Sequence, residues 1–292
     1  MNCGAATHTG LVRVRNEDRY WMDTGHGAFL VVDGVGGHAG GEMAAETAVE
    51  EIRQELLTGG GTAEERVRAA ITRANNRIWE LAQANDTSKG MACVLTLALV
   101  EDGQLTIGHV GDSRLYLVWD GAMRKITSDH SPVGEDEEAG ELTEEEAMAH
   151  PRRNEVFRDV GSRPRTAMDE EFIEIRKCRL HKDAGILLCS DGLTDQLSTE
   201  RVREIIEGYK GDAGELAREL VEAANQAGGK DNTTVVFVAG PEFGGRGKAT
   251  RPRFGSRRRR GAARLLRGRV AFLGYGLLLG LLMWVVLRAA RG

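Results

Sequence analysis

The sequence predicts an α+β fold built on antiparallel sheets, and three observations carry that reading. Two neighbouring stretches, Gly41–Leu57 and Thr62–Gln83, place apolar residues at helical spacing with a Gly-rich turn between them. From Cys93 the period changes to that of strands, with turns at Glu101–Gly103 and Asp120–Gly121 that return each strand beside the last. Strands that arrive as meanders and helices that arrive in pairs argue against a parallel sheet of regular βαβ units. A long uncharged run near the end of the chain adds one C-terminal transmembrane helix to the expected fold.

The elements follow in order. The β-rich run AFLVV leads to Asp33, and the two helices come next. VLTLALV, LTIGHV and the hairpin RLYLVWDGAMRKI then form successive strands, with Asp120-Gly121 as the tight turn. The stretch Ser131–His150 is acidic, so a solvated face is its simplest reading, and GELTEEEAMAHP offers a short helix stopped by Pro151. EFIEIRKCRL and GILLCSD are read as strands, TERVREIIEG and DAGELARELVEAANQAG as helices, and TTVVFVAG as the final strand.

Four aspartates stand where such runs meet turns. Asp33 closes AFLVV, Asp112 follows LTIGHVG, Asp191 follows GILLCS, and Asp231 precedes NTTVVFV. Each alone is adequately explained as a polar turn residue, because Asp-Gly favours turns. Together, with few His or Cys residues to compete, they form an oxygen donor set suited to hard cations such as Mg²⁺ and Mn²⁺.

The flanking residues make the pattern specific. TGLVRVRNEDRYW, FLVVDGVGGHAGGE, HVGDSRLYLVWDG, LLCSDGLTD and GKDNTTVV occur in that order. Over about residues 4–240 the chain resembles the bacterial form of the PPM, or 2C-type, metal-dependent Ser/Thr protein phosphatases. The resemblance implies a four-layer αββα sandwich of two antiparallel sheets flanked by helices. It also implies that Asp33, the Gly34 carbonyl, Asp191 and Asp231 hold two Mn²⁺ or Mg²⁺ ions, and that Asp112 with Asp191 holds a possible third. Arg13 is then expected to grip the substrate phosphate, while Glu17 and Asp18 act through water on the metals. A guanidinium suits that task, since it can hold two phosphate oxygens and keeps its charge at physiological pH. In relatives, the acidic stretch is a flap beside the active site.

The sequence also departs from the family pattern. His8 stands where many relatives carry Asp and reads as a surface or outer group. Val35 occupies the place of a histidine that animal-type relatives present as a proposed general acid, and valine carries no proton to give. His38 is a candidate for that proton. Ala92 and Cys93 replace the commoner Gly and Thr, with Cys93 read as a small buried hydrophobe.

Two other readings compete. Gly34, Gly36 and Ala39 fit G-x-G-x-x-A after a strand, as in a dinucleotide-binding turn, but a second helix follows where that fold needs a strand ending in an acid. A catalytically silent phosphatase-like scaffold that binds phosphoproteins is the alternative function; the four retained aspartates favour activity.

Charge divides the chain. After Phe243 there are 13 Lys or Arg and no acid, whereas residues 1–243 carry 26 basic and 44 acidic groups, a net of −18. An acidic body lacks the basic face that nucleic acid requires. Four cysteines without a CxxC pair and without a leading secretory signal point to a reducing, cytosolic setting. The phosphatase domain is therefore placed at 1–243, a basic flexible linker at 244–269, a transmembrane helix at 270–288 and a short tail at 289–292. Val270–Leu287 is uncharged, and its 18 residues rise about 27 Å as a helix, close to the hydrocarbon thickness of a bilayer. Eleven of the basic residues after Phe243 precede the span and two follow it, which orients the catalytic domain towards the cytoplasm of a single-pass membrane protein. Phosphorylated proteins are the expected partners, in particular Ser/Thr kinases and their substrates.

Overall fold

The computed structural model describes residues 1–36, 40–84 and 88–244. Among them the element order is β1 (Asn2–His8), β2 (Arg19–Asp23), β3 (Ala28–Val35), α1 (Gly40–Thr58), α2 (Ala63–Ala84), β4 (Ala92–Glu101), β5 (Gln104–Val110), β6 (Arg114–Trp119) and β7 (Ala122–Lys125). There follow α3 (Pro132–Ala139), α4 (Glu144–Met148), β8 (Glu174–Arg179), β9 (Gly185–Cys189), α5 (Asp191–Thr194), α6 (Thr199–Glu207), α7 (Ala213–Gln226) and β10 (Thr233–Ala239). The expected helix pair and the hairpins after Cys93 are present. At Asp120 and Gly121 φ is 52° and 70°, the left-handed geometry that a two-residue hairpin turn requires.

The strands form two five-stranded sheets, ordered β1-β10-β9-β6-β7 and β2-β3-β4-β5-β8, and every pairing is antiparallel. Alternation along each strand assigns the faces. Phe29 and Val31 of β3 meet Ile107, Leu188 and Val236 in a core between the sheets. Leu30 and Val32 face the other way, onto Ala45 and Ile52 of α1 and Ile71 of α2. On the opposite sheet, Leu187 and Phe237 pack against Leu216 and Leu220 of α7 and Val202 and Ile206 of α6. Strands buried on both faces explain why VLTLALV and TTVVFVA read as unbroken apolar runs. Fully burying one such Leu or Phe contributes roughly 1.5–3 kcal/mol, so three apolar layers bind four structural ones.

Two elements differ from the sequence reading. Part of the acidic stretch, read as solvated, folds into α3: Ser131 caps it by accepting a hydrogen bond from the Gly134 N–H, Pro132 opens it, and Gly140 ends it at φ 75°. These are ordinary start and stop signals that the density of acidic residues obscured. α4 occurs as expected, opened by a capping box between Thr143 and Glu146. Asp33 does not close its strand but lies within β3, where antiparallel pairing to Val94 continues through Val35.

Among the described residues no helix is long and apolar enough to cross a membrane. The expected span at 270–288, the linker beyond Gly244 and the candidate His38 lie outside the described residues.

Candidate metal centre

The side-chain alternation that builds the inter-sheet core also directs Asp33. It shares the parity of Phe29 and Val31, so β3 turns its carboxylate towards the end of the seam between the sheets. Asp112 leaves β5 through Gly111, whose φ is 109° and whose position would drive any Cβ into Val94. Asp191 opens α5 directly after β9, and Asp231 stands just ahead of β10. All four line one cavity of about 200 Å³ together with Arg13, Glu17 and Gly34. At Gly34 a Cβ would strike the backbone of Gly41 and Glu17, so only glycine lets β3, α1 and the Glu17 loop meet there.

Burial first, and charge crowding second, shape the electrostatics of this cavity. Burial, and then the neighbouring charges of Asp18, Asp191, Asp112 and Asp231, hold the Asp33 pKa well above the ordinary carboxylate range. Asp191 is raised in the same way, by burial and then by Asp112, Asp195 and Asp231. Burial, followed by Asp129, pushes Asp112 up to about 7. Asp18 sits behind the cavity wall, 2% exposed. Its Oδ2 accepts a 2.8 Å hydrogen bond from the Ser190 hydroxyl, while its Oδ1 is buried without a hydrogen-bond partner. Burial raises the Asp18 pKa to about 6. An all-oxygen set of mutually repelling carboxylates, a glycine cradle and an orphaned carboxylate oxygen together fit divalent hard cations. Asp33, Gly34, Asp191 and Asp231 could hold a pair, with Asp112 and Asp191 beside them for a further ion.

Arg13 and Glu17 approach from the loop between β1 and β2. The Arg13 guanidinium donates to Asp231 Oδ2 at 2.6 Å, with its side chain 51% exposed. Burial opposes its charge, but Asp231, Asp191 and Asp33 outweigh this and raise its pKa. Glu17 lies on the cavity wall, its pKa raised first by burial.

The residue that fixes this loop was not singled out from sequence. Asn232 accepts from the Glu17 N–H at 2.7 Å and donates to the carbonyls of Thr9 and Arg15 at 2.9 and 2.8 Å. Its only sequence signal is its place beside Asp231 in GKDNTT. Also unforeseen are Asn154 and Val156, which bring the flap to the cavity wall, and Arg153, which donates to Asp195 at 2.7 Å. His8 is exposed and accepts from the Gly10 N–H at 2.9 Å, as a surface group would. Cys93 is buried, and all four cysteines are free.

A second group of possible ligands, His109, His130 and Glu174, has its ligand atoms within 4.8 Å of one another. His109 is already engaged at both nitrogens, with Thr96 Oγ1 at 2.9 Å and the Ser128 carbonyl at 3.1 Å. His130 Nδ1 accepts from the Gly111 N–H at 3.0 Å. Those bonds make this group a brace beneath Asp112 rather than an open cation site.

The carboxylate shifts set a pH dependence. A raised acid pKa means that the fold prefers the protonated form, so its contribution is complete below the ordinary value and is lost as pH rises through the folded value. With Asp18 moved from 3.8 to about 6 and Asp112 from 3.8 to about 7, the metal-free protein should lose stability as pH rises from about 4 to 7. Thermal unfolding in chelator should show a falling Tm over this range, Asp18→Asn should flatten the fall, and Mn²⁺ at pH 8 should reverse it. A Tm that rises with pH in chelator would contradict the assignment.

Known proteins share this architecture. A profile of the protein phosphatase 2C family matches residues 12–229. The serine/threonine phosphatase stp of Listeria monocytogenes is 33% identical over 246 residues, which cover 82% of this chain and 95% of that protein. The crystal structure of the Mycobacterium tuberculosis serine/threonine phosphatase PstP/Ppp aligns with a TM-score of 0.72 at 31% identity, covering 82% of this chain and 98% of the other. A structure of the catalytic domain of the phosphatase PstP in complex with two manganese ions aligns with a TM-score of 0.71 at 31% identity, covering 80% and 96% of the two chains. With the two-sheet sandwich, the carboxylate cavity and similarity along most of its length in agreement, this chain belongs to the protein phosphatase 2C family.

Proposed function

We propose that this protein hydrolyses phosphoserine and phosphothreonine in proteins with the help of bound Mn²⁺ or Mg²⁺. The observation that carries the reading is the meeting of Asp33, Asp112, Asp191 and Asp231 with Arg13 in one cavity at the end of the sandwich. The PstP catalytic domain, which is similar in fold, holds two manganese ions, and the residues here assigned to a pair are Asp33, Gly34, Asp191 and Asp231. When bound, such ions lower the pKa of water and neutralise charge on phosphoryl oxygens during in-line displacement.

The chain's own residues supply the rest. Arg13, half exposed and tethered through one nitrogen to Asp231, can turn its guanidinium onto two phosphate oxygens and orient them. Asn232 holds the loop that carries Arg13 and Glu17 against the start of β10, which keeps the phosphate grip in register with Asp231. Ser190 orients Asp18 and accepts in turn from the Thr234 N–H at 2.9 Å, leaving the free Asp18 oxygen available to order water. Val35 lines the cavity without a proton to give, so the departing serine or threonine oxygen takes its proton from water or from another group. Asn154 and Val156 close one side and present the flap to a protein substrate.

Metal chemistry and phosphate grip are separable by mutation. Asp33→Asn and Asp191→Asn should each lower kcat by roughly 10²-fold or more, whereas Arg13→Ala should raise the phosphopeptide KM with Mn²⁺ affinity nearly unchanged and Arg13→Lys should recover only part of the loss. Phosphate release from phosphopeptides in Mn²⁺, with calorimetric Mn²⁺ titration, checks both. Wild-type turnover in either Asn variant would overturn the metal assignment. Absence of release by the wild-type protein with any divalent metal would favour a phosphoprotein-binding scaffold.

We further propose a single-pass anchor at 270–288 with the catalytic domain in the cytoplasm, supported by the uncharged run and the basic residues before it. Substrates would then include Ser/Thr kinases at the membrane and their targets. Full-length protein should stay with membranes through high-salt washing, because insertion survives screening that removes electrostatic attraction. Extraction by salt alone would refute the span, and unchanged phosphorylation of membrane kinases and their targets after deletion would refute the partner.

A further inference from the structure

On the buried face of α2, among Ile71, Ala74 and Ile78, stands an asparagine. Asn75 is 0% exposed, and an amide in such surroundings is costly unless its bonds are made elsewhere. They are made to the far end of the flap. Asn75 Oδ1 accepts from the Gly161 N–H at 2.8 Å and its Nδ2 donates to the Arg163 carbonyl at 2.8 Å. The next residue repeats the device: Asn76 Nδ2 donates to the Arg165 carbonyl at 2.9 Å and its Oδ1 accepts from the Arg165 N–H at 2.8 Å. Asn76 thus pairs with Arg165 as one strand residue pairs with another. Residues 161–165 belong to no helix or strand, and these two side chains bond the backbone of three of them, Gly161, Arg163 and Arg165.

The clamped segment leads back to the cavity. Val160 exchanges both backbone hydrogen bonds with Cys93, at 3.0 and 2.8 Å. Gly161, at φ 120°, lies so close to α2 that a Cβ would strike Ile78. Further back, the Phe157 N–H donates to the His130 carbonyl at 3.0 Å, and Asn154 and Val156 form part of the cavity wall. The segment from 154 to 165 is therefore strung between the catalytic cavity and the amides of α2.

We propose that Asn75 and Asn76 are positioning residues that hold the flap wall at the height a protein phosphate requires. This rests on the phosphatase reading above. They touch neither metal ligands nor Arg13, so their influence should fall on substrates large enough to meet the flap and spare a phosphate that reaches only the carboxylates and Arg13.

The test uses full-length protein in detergent with saturating Mn²⁺, a phosphothreonine peptide and p-nitrophenyl phosphate as substrates, and tryptic cleavage at Arg158 and Arg165 as a second readout. Asn75→Ala and Asn76→Ala should raise the peptide KM by roughly 10-fold, with kcat and the aryl phosphate kinetics within about twofold, and should speed cleavage in the flap. Asn76→Asp keeps the acceptor for the Arg165 N–H and loses the donor, so it should fall between wild type and alanine. Asn76 is only half-buried, and its variants decide the matter if Asn75→Ala does not fold. Unchanged peptide KM, unchanged cleavage, or equal losses on both substrates would each overturn the proposal. A wild-type protein inactive on both substrates would refute the phosphatase reading instead, and cleavage rates would then decide the clamp.

Discussion

Repulsion between carboxylates gathered at the end of the seam is the constraint around which the rest of this domain is arranged. Bringing Asp33, Asp112 and Asp191 into one buried cavity opposes folding, and their pKa values are raised first by that burial and then by the charge of neighbouring carboxylates. The compensation is distributed over the three apolar layers that fasten two sheets and two helix pairs together. Stability is thus supplied at the centre of the sandwich and consumed at its end, the usual relation between a scaffold and a strained site. A bound cation would convert the same repulsion into affinity, which is why the cluster makes sense as a binding site and poor sense as structure.

Around that cluster the polar contacts form two groups with different tasks. Asn232, Ser190 and Thr234 lie on or next to β9 and β10, and their bonds align the Arg13 loop and Asp18 with the cavity floor. Arg153, Asn75 and Asn76 instead fasten the flap, from opposite sides of the domain. The floor is made of strand ends and buried hydroxyls, so it is stiff. The wall hangs instead on those side-chain bonds and on a few backbone bonds, from Phe157 to His130 and between Val160 and Cys93.

How far this was legible from sequence depended on whether a residue's role was visible in its neighbours. The aspartates, Arg13, Glu17 and Gly34 could be named because each lies in a short motif beside a strand or turn, and all line the cavity or, like Asp18, back it. The antiparallel hairpins announced themselves by period and by Asp-Gly turns. Asn232 could have been inferred from its place next to Asp231, but nothing in GKDNTT says that it reaches the carbonyls of Thr9 and Arg15, more than 200 residues earlier. Asn75 and Asn76 were less visible still, since an amide on a helix has no local partner to betray it. α3 was missed because charge density was weighed above the Ser-Pro start and the Gly stop.

The placement of β10 has a consequence for the birth of the protein. β10 is not an edge strand: it lies between β1, near the start of the chain, and β9, and Asp231 and Asn232 lead into it. A chain emerging from the ribosome can assemble α1 and α2 on β3, β4 and β5 from contacts close in sequence. The sheet holding β1 must wait for a partner more than 200 residues later, which is slow loop closure of the kind that limits folding of high-contact-order domains. Until that strand docks, Arg13 has no Asp231 to meet and the cavity has no floor, so a nascent chain cannot act on phosphoproteins before its catalytic domain is complete.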